Sequence, residues 1–344
     1  MQNKPIKIDL YSAMSQTFTH QYPELMKGKT ILYVHGFASS AQSGTVKILQ
    51  NLFPSATVLA YDLPIEPNEA LELLKKVHET EKPDLIIGTS MGGMFTEMLR
   101  GTDRICVNPA FEMGKTMKEH GMTGRQVFQN PRQDGVMEFQ VTKPLVKAYE
   151  DVTALCFQGI TDDEDARVWG LFGDEDPIVD TYNLFRQHYS QAIHFHGEHR
   201  LNERALIHAV VPVVRWIDDR QTERHRPTIL IHIDALRGQD GMPRSSAVKT
   251  CETLLSAYNL YFVAPVEQSD ETSMESAKMW LEKYINVPTF HHLLFADSLS
   301  SLFGDYLITT QKIADFIGTN VVFGSAEMKT WETVSEFFSR LGGQ

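Results

Sequence analysis

A serine with a glycine two residues before it and another two residues after it is the clearest chemical feature of the chain. Ser90 lies in the sequence LIIGTSMGGM (85–94), where an apolar run precedes Gly88 and a helix-like run follows Gly92. This pattern predicts a strand, a tight turn and a helix, with the serine strained and its hydroxyl exposed above a sheet. The two glycines would remove the side-chain collisions of such a turn. Short Gly/Ser patterns also arise by chance, so the match matters only if other residues can activate the serine.

A histidine beyond a later strand could supply the base that a serine nucleophile needs. The segment AIHFHGEHRL (192–201) predicts a strand that opens into a loop. His194 and His196 share one face of that strand, whereas His199 follows Gly197 on the loop. Because imidazole titrates near neutral pH, it can take the serine proton and return it to a leaving group. We assign His199 as the general base; the alternative is that all three histidines are structural or exposed.

The third member of such a site is an acid that orients the histidine and stabilises its charged form. The sequence VWGLFGDEDPIVD (168–180) predicts a strand followed by several acids. The spacing G-x-x-D-x-x-V fits Gly173, Asp176 and Val179 and favours Asp176. Four acidic residues compete for the position, and the others are interpreted as solvated turn residues: Asp174, Glu175, Asp176 and Asp180. Asp180 and Asp174 remain alternatives. The order serine, acid, histidine is that of α/β-hydrolases.

Two backbone N–H groups are the expected donors to the oxyanion of a tetrahedral intermediate. The apolar sequence ILYVHGF (31–37) predicts a buried strand that turns at His35 and Gly36. We assign the amide of Phe37 as one donor and the amide of Met91, directly after the serine, as the other. Each donor of this kind contributes roughly 3 kcal/mol to the transition state. His35 itself is interpreted as a packed turn residue.

The elements around these residues predict the fold class. Predicted strands at 31–37, 56–64 and 84–87 alternate with predicted helices at 44–53 and 67–80. This β-α-β-α order predicts a doubly wound parallel sheet. The connection at 112–165 is far longer than an ordinary one, and we interpret it as a cap insertion over the site.

Composition limits the classes of partner and compartment. The chain has 344 residues, a formal net charge of −12 and three cysteines far apart in the sequence. This charge argues against nucleic acid and anionic membrane surfaces as partners. The cysteines predict buried thiols rather than a disulfide framework or a metal site. No stretch has the apolar length of a signal peptide or a membrane span, so we expect a cytoplasmic protein. The chemistry described above requires no metal or organic cofactor.

A second α/β unit is expected after residue 222. The sequence RQTERHRP (220–227) is charged and ends in proline, and we interpret it as a linker. Strands are then predicted at 228–238, 260–266, 289–296 and 320–327, with helices between them, and the segment GDYLITT (304–310) precedes the last strand. We therefore divide the chain into domains at 1–222 and 223–344.

The first domain resembles a known family. The motifs YVHGF, GTSMGG, NPAF and GDEDPIVDTYNLFRQHY are similar to those of small bacterial esterases of the YqiA/YcfP type, the UPF0227 group, over roughly residues 29–220. The resemblance implies an α/β-hydrolase fold and hydrolysis of short-chain acyl esters of small molecules. It implies a triad of Ser90, His199 and one of the aspartates.

The second domain resembles the haloacid-dehalogenase-like fold, particularly the 5′(3′)-deoxyribonucleotidases, in the stretches IHIDALRG, YFVAP, KMWLEKYI and GDYLI. Such phosphatases need a D-x-D motif, further acids for Mg²⁺ and a lysine. Here His232 replaces the first aspartate and Asp234 remains, Asp305 is kept, and Thr309 and Thr310 stand where two acids are expected. No lysine occurs between residues 283 and 312. Phosphoryl transfer depends on metal and positive charge. We therefore predict a degenerate domain that binds a ligand, forms a homo-oligomer or docks onto the esterase.

Two rival hypotheses remain from the sequence. One is a non-catalytic scaffold built from two degenerate enzyme folds. The other is a surviving nucleotide phosphatase in which His232 replaces the nucleophilic aspartate.

Overall fold

Two α/β units, each built on a parallel sheet, make up the part of the chain that the computed structural model describes: residues 21–266, 271–285 and 292–341. This confirms the predicted fold class. Among the described helices, none combines the length and the apolar character that crossing a bilayer requires. The three cysteines are buried and unpaired, as predicted.

The first unit contains a six-stranded sheet in the order β2-β1-β3-β4-β7-β8, with all neighbours parallel. Its elements are, in chain order, β1 (Thr30–Val34), α1 (Gly44–Leu52), β2 (Thr57–Ala60), α2 (Pro67–Glu81), β3 (Leu85–Thr89), α3 (Met91–Met98), β4 (Asp103–Val107), α4 (Met113–Glu119), β5 (Gly124–Val127), β6 (Glu138–Val141), α5 (Lys143–Thr153), α6 (Asp162–Asp165), β7 (Val168–Gly173), α7 (Tyr182–Arg186), β8 (Ala192–Phe195), α8 (Glu203–Ala205), a π-helical turn (Leu206–Val210) and α9 (Val211–Gln221).

The order of the strands fixes where a ligand can bind. β1 pairs with β2 on one side and with β3 on the other. The strands that follow β1 in the chain are therefore added to opposite sides of it. In open parallel sheets, ligands bind at such a switch point, outside the carboxyl ends of the strands. The loops after β1 and β3, which carry Phe37 and Ser90, meet at this point.

The sheet is buried on both faces. Along β1, Leu32 and Val34 pack into one hydrophobic core, whereas Ile31 and Tyr33 pack into the other. Side chains alternate between the faces of a strand, so an apolar strand serves two cores when helices cover both sides. This explains why the sequence of β1 is continuously apolar rather than alternating.

The long connection between β4 and β7 has secondary structure of its own. It contains α4, an antiparallel hairpin of β5 and β6, α5 and α6. The proline at the start of α5 and the side chain of Thr142, which accepts from the amide of Leu145, fix where that helix begins.

The second unit contains a five-stranded parallel sheet in the order β11-β10-β9-β12-β13. Its elements are β9 (Thr228–His232), α10 (Ile233–Leu236), α11 (Ala247–Leu254), β10 (Asn259–Pro265), α12 (Glu271–Tyr284), β11 (Leu293–Ala296), a 3-10 turn (Leu299–Ser301), β12 (Phe303–Thr309), β13 (Ile317–Val322) and α13 (Trp331–Leu341). Residues 289–291 of the predicted strand at 289–296 lie outside the described residues. The last helix was not predicted, although Trp331, Val334 and Phe338 have helical spacing and are fully buried.

The segment that was predicted to be a charged linker is partly buried. Arg226 is 8% exposed; it pairs with Asp219 of α9 at 2.9 Å and donates to the carbonyl of Ser256 in the second unit. Arg215 of α9 donates to the carbonyls of Leu255 and Tyr258. The two units are therefore joined by buried arginines that bind main-chain oxygens, a role that their charge did not reveal.

Candidate active site

Ser90 occupies the turn between β3 and α3 in a conformation that few residues adopt. Its φ of 55° and ψ of −121° lie outside the ordinary regions for a residue with a side chain. Three backbone hydrogen bonds hold it there: its N–H donates to Val107 at 2.9 Å, and its carbonyl accepts from Ala110 at 3.0 Å and from Met94 at 3.1 Å. This backbone conformation places the hydroxyl at the end of β3 rather than in the sheet.

The flanking glycines have the steric role that the sequence predicted. A Cβ atom at Gly88 would overlap the carbonyl of Gly92 and the side chain of Thr96, and one at Gly92 would overlap the carbonyl of Val34 in β1. Helix α3 thus lies directly against β1 and β3. Its first amide, that of Met91, comes immediately after the serine.

The structure brings together Ser90, His199 and Asp176 in one chain of hydrogen bonds. His199 Nε2 lies 3.0 Å from Ser90 Oγ, and His199 Nδ1 lies 2.7 Å from Asp176 Oδ2. Because an ionised carboxylate only accepts hydrogen bonds, Nδ1 must carry the proton, which leaves Nε2 free to accept from the serine hydroxyl. The Asp176 side chain is 1% exposed and that of His199 is 15% exposed.

The position of Asp176 follows from the turn after β7. Its other carboxylate oxygen, Oδ1, accepts from the amides of Ile178 at 2.8 Å and Val179 at 3.0 Å. These bonds orient the carboxylate so that Oδ2 faces the imidazole. The competing aspartates lie elsewhere: Asp174 accepts from the amide of Gly197 at 3.1 Å, and Asp180 is exposed to solvent.

The other histidines of the segment have separate environments. His194 stacks on Tyr182, with 3.9 Å between the ring centroids, and His196 lies 3.4 Å from Asp174. His35 is buried after β1, where its Nδ1 donates to the carbonyl of Gly36 and its Nε2 accepts from the amide of Leu63. Burial lowers the pKa of His35 and favours the neutral ring that this pair of bonds requires. The interpretation of His35 as a packed turn residue is confirmed.

The backbone turn after β1 lies against the serine. A Cβ atom at Gly36 would come within 3.3 Å of Ser90 Cβ and 3.9 Å of Ser90 Oγ, so the turn that leads into Phe37 packs closely against the serine. Among the described residues, the amides of Phe37 and Met91 have no protein acceptor. The first amides of a helix have no partner within that helix, so Met91 N–H is available to a ligand. The ring of Phe37 packs edge-on against Phe139 of the insertion, with 5.3 Å between the centroids.

Sequence reasoning missed a buried asparagine that links three parts of the site. Asn108, directly after β4, accepts from the amide of Gly173 through Oδ1 at 2.7 Å. Its Nδ2 donates to the carbonyls of Glu198 and His199 at 3.0 and 3.2 Å. Its φ is 44°, a conformation that asparagine tolerates better than most residues. An asparagine at the carboxyl end of a buried strand was the signal available in the sequence.

A cavity of about 670 Å³ opens at Ser90 and His199. Much of its wall is polar and includes Ser39, Gln126, Gln129, Asn130, Arg200 and Asn202. The insertion reaches this wall because Gln129 N–H donates to Ala38 at 2.8 Å, and Ser40 Oγ donates to Pro131 at 2.6 Å. The Asn130 side chain also donates to Ser39 Oγ at 3.2 Å.

The residues that resemble a phosphatase site do not come together in the second unit. Asp234 follows the carboxyl end of β9, but Asp305 lies near the start of β12, where it accepts from the amide of Thr228 at 2.7 Å. Since β9 is five residues long, the two aspartates are separated by about 13 Å of strand or more. Within residues 21–266, 271–285 and 292–341, no group of three or more His, Cys, Asp or Glu side chains is arranged to hold a metal ion. Asp305 therefore has a structural role at the opposite edge of the sheet.

Comparisons with known proteins match each half of the chain separately. The model of UPF0227, described as an uncharacterised protein family, matches residues 30–207. In the second half, 116 residues (33% of this chain) are 22% identical to a protein of Vibrio phage KVP40 named "Putative 5'(3')-deoxyribonucleotidase". The match spans 64% of that relative's length, less than two thirds of it.

Solved structures are similar to somewhat more than half of the chain. A monoacylglycerol lipase of Paleococcus ferrophilus is 16% identical, with a TM-score of 0.39, and the match covers 58% of this chain and 96% of the lipase. Est1E of Butyrivibrio proteoclasticus is 17% identical, with a TM-score of 0.36, and the match covers 59% of this chain and 92% of Est1E.

Proposed function

The chain belongs to the uncharacterised protein family UPF0227, and we propose that it is a serine hydrolase that cleaves an ester or thioester of a small molecule through an acyl-enzyme. One observation carries this proposal: Ser90 Oγ lies 3.0 Å from His199 Nε2, whose other nitrogen lies 2.7 Å from Asp176. A serine, a histidine and an oriented acid in this geometry form an activated nucleophile.

The first half of the reaction forms the acyl-enzyme. Ser90 Oγ attacks the substrate carbonyl carbon while its proton moves to His199 Nε2, and Asp176 stabilises the imidazolium through Nδ1–H. The carbonyl oxygen becomes an oxyanion, and the amides of Phe37 and Met91 donate to it. The tetrahedral intermediate then collapses, and the alcohol or thiol leaves with the proton from His199.

The second half regenerates the enzyme by the same route. A water molecule attacks the acyl carbon and gives its proton to His199, and the same two amides stabilise the new oxyanion. Collapse of this intermediate releases the carboxylic acid and returns the proton to Ser90 Oγ. Every proton in the cycle passes through His199 Nε2, so the serine, the histidine and the acid should act as one unit.

A panel of substrates tests the proposal. Wild type and Ser90→Ala would be assayed with p-nitrophenyl esters of increasing chain length, and with thioester and amide analogues. We expect ester or thioester cleavage by wild type and a loss of at least about 10³-fold in kcat/KM in the variant. Circular dichroism would show that the variant is folded. Wild-type turnover by folded Ser90→Ala would exclude Ser90 as the nucleophile.

A fluorophosphonate probe distinguishes this proposal from a non-catalytic scaffold. The probe phosphonylates an activated serine, so wild type should be labelled, whereas Ser90→Ala and His199→Ala should not. A scaffold without an activated serine would leave all three proteins unlabelled. The amides of Phe37 and Met91 have no protein acceptor among the described residues. They favour the hydrolase over the scaffold, since such donors would stabilise the negative charge that develops during labelling.

For the second unit we propose that phosphatase activity has been lost. His232 stands in the position of the attacking aspartate, and Asp305 points to the other end of the sheet. Incubation with deoxynucleoside monophosphates and Mg²⁺ should therefore release no phosphate above the background of a His232→Ala variant. Mg²⁺-dependent release that requires His232 would support the phosphatase hypothesis instead.

A further inference from the structure

A second cavity, of about 740 Å³, lies between the two units. It is bounded by α9 and by Trp169 and Ile193, which are near the starts of β7 and β8, and by Asn259 and Tyr261 at the start of β10. Ser90 lies at the carboxyl ends of the same sheet, and the described linings of the two cavities have no residue in common. Small-molecule sites are often found between domains and have volumes in this range.

Three residues that line this cavity carry buried nitrogen atoms with no acceptor among the described residues. They are Nε1 of Trp169, Nε of Arg215 and Nη2 of Arg226. The two arginines are 6% and 8% exposed. A buried donor without a partner costs free energy. All three groups are donors that lie behind the cavity wall, out of direct reach of a ligand, so the unpaired groups there are donors rather than acceptors.

The charges of the wall also favour an acceptor-rich ligand. Four arginines but only two carboxylates line the cavity, although the chain as a whole has a net charge of −12. Burial and the neighbouring Arg226 lower the pKa of Arg215 to about 10, while Asp219 and Glu24 act in the opposite direction. Arg224 has the longest ion-pair distances of the four arginines. Its nearest carboxylate oxygens, on Asp218 and Asp219, are 4.0 and 3.9 Å away.

Aromatic rings supply part of the wall. Trp216 of α9 is 59% exposed, which is unusual for a tryptophan in the middle of a packed helix. Tyr261 and His292 lie across the cavity, with ring centroids 5.0 Å apart and planes at 30°. Flat aromatic faces beside arginines suit a planar ring that carries a negative charge.

We propose that this cavity binds a small anion that carries an aromatic ring, with Trp216 and Tyr261 against the ring and Arg224 on the carboxylate or phosphate. Binding here would join α9 of the first unit to the start of β10 of the second. The site is independent of the hydrolase proposal, because it uses no residue near Ser90.

Calorimetric titration of the full-length protein tests the proposal with four probes. Naphthalene-2-carboxylate and adenosine 5′-monophosphate supply the two kinds of anion, and naphthalene-2-methanol and adenosine are their neutral counterparts. We expect saturable binding of at least one anion, at least tenfold tighter than its neutral counterpart. The larger gain over its own neutral counterpart shows which anionic group, carboxylate or phosphate, the cavity favours.

Variants locate the binding. Arg224→Gln and Trp216→Ala change partly exposed side chains, so the fold should persist, and each should weaken anion binding by tenfold or more. Arg340→Gln is the matched control, because Arg340 lies on α13 with its side chain 81% exposed. Ser90→Ala should bind the anion as wild type does. The proposal fails if neither anion binds at millimolar concentration, or if Arg224→Gln and Arg340→Gln bind alike.

Discussion

Asn108 donates from its side-chain amide to the carbonyl oxygen of His199 at 3.2 Å, across 91 residues of sequence. The same amide donates to Glu198, and the Asn108 side-chain oxygen accepts from Gly173. One buried side chain therefore fixes the loop that carries the proposed base to the end of β4 and to the strand that precedes the proposed acid.

We expect Asn108→Asp to lower kcat by about 10- to 100-fold with little change in KM. Aspartate has the same size but cannot donate to the two carbonyls, so the His199 loop should lose its position while the cavity stays intact. The free energy of unfolding should fall by about 1–3 kcal/mol. Steady-state kinetics and urea unfolding measure both effects. Asn68→Asp, on the exposed start of α2, is the control, and equal kinetics of the two variants would remove the positioning role.

Two aspartates of one turn should differ sharply in their effect on activity. Asp176→Asn keeps the shape of a side chain that is 1% exposed and bonded to His199, but it removes the charge that fixes the tautomer. We expect kcat to fall by about 10³- to 10⁴-fold. Asp180→Asn, at an exposed position four residues on, should retain activity within about twofold. Ester hydrolysis under identical conditions compares them, and a larger loss in Asp180→Asn would reverse the assignment of the acid.

Two glycine substitutions should differ sharply in their effect on stability. A methyl group at Gly92 would overlap the carbonyl of Val34, so Gly92→Ala should lower the free energy of unfolding by about 3 kcal/mol or more. Gly44, at the start of α1, has no heavy atom within 4 Å of a built Cβ. Gly44→Ala should change stability by less than about 1 kcal/mol. Urea unfolding followed by circular dichroism measures both, and similar midpoints would contradict the close approach of α3 to β1.

Stability should fall as the pH falls below about 6.5, in part because of His35. Burial lowers the folded-state pKa of His35, so below the unfolded pKa the unfolded chain binds a proton that the folded protein does not. The unfolded state is then favoured, and stability is lost progressively down to the folded pKa. His35→Asn should make the free energy of unfolding less dependent on pH. The reduction is at most about 1.4 kcal/mol per pH unit, which corresponds to one proton.

The measurement for His35 is urea unfolding at several pH values between 5 and 8. His78 and His232 also have lowered pKa values because of burial, so the slope should become smaller in His35→Asn rather than vanish. His120→Asn, at an exposed position, is the control. An unchanged slope in His35→Asn would show that His35 does not resist protonation in the folded state.

The turn around Ser90 could be predicted because the forces that shape it are local. An apolar run of strand length, glycines on both sides of a serine and a following helix belong to one short stretch, and steric overlap alone requires the glycines. The same holds for the strand that ends at His35, since its continuous apolar character reflects burial on both faces of the sheet.

Other features depended on contacts between distant parts of the chain. Four acids within seven residues are nearly equivalent in sequence, and only the turn in which Ile178 and Val179 donate to Asp176 directs one of them at His199. Asp305 belonged to a phosphatase-like motif, yet its strand begins where β9 begins, so it lies at the opposite edge from Asp234. Sequence motifs record residue types and spacing along the chain, and neither specifies which end of a sheet a side chain reaches.

The sequence by itself determined the fold class, the strained serine and the order of the residues that could act with it, because periodicity, glycine sterics and turn chemistry act over a few neighbouring residues. Only the tertiary structure decided that Asp176 meets His199, that Asn108 holds the loop that carries His199, and that the arginines 215 and 226 join the two units. The two residues of each contact are separated by between 23 and 91 positions in the sequence. Such contacts form only when packing of the sheets brings separate loops to the same place.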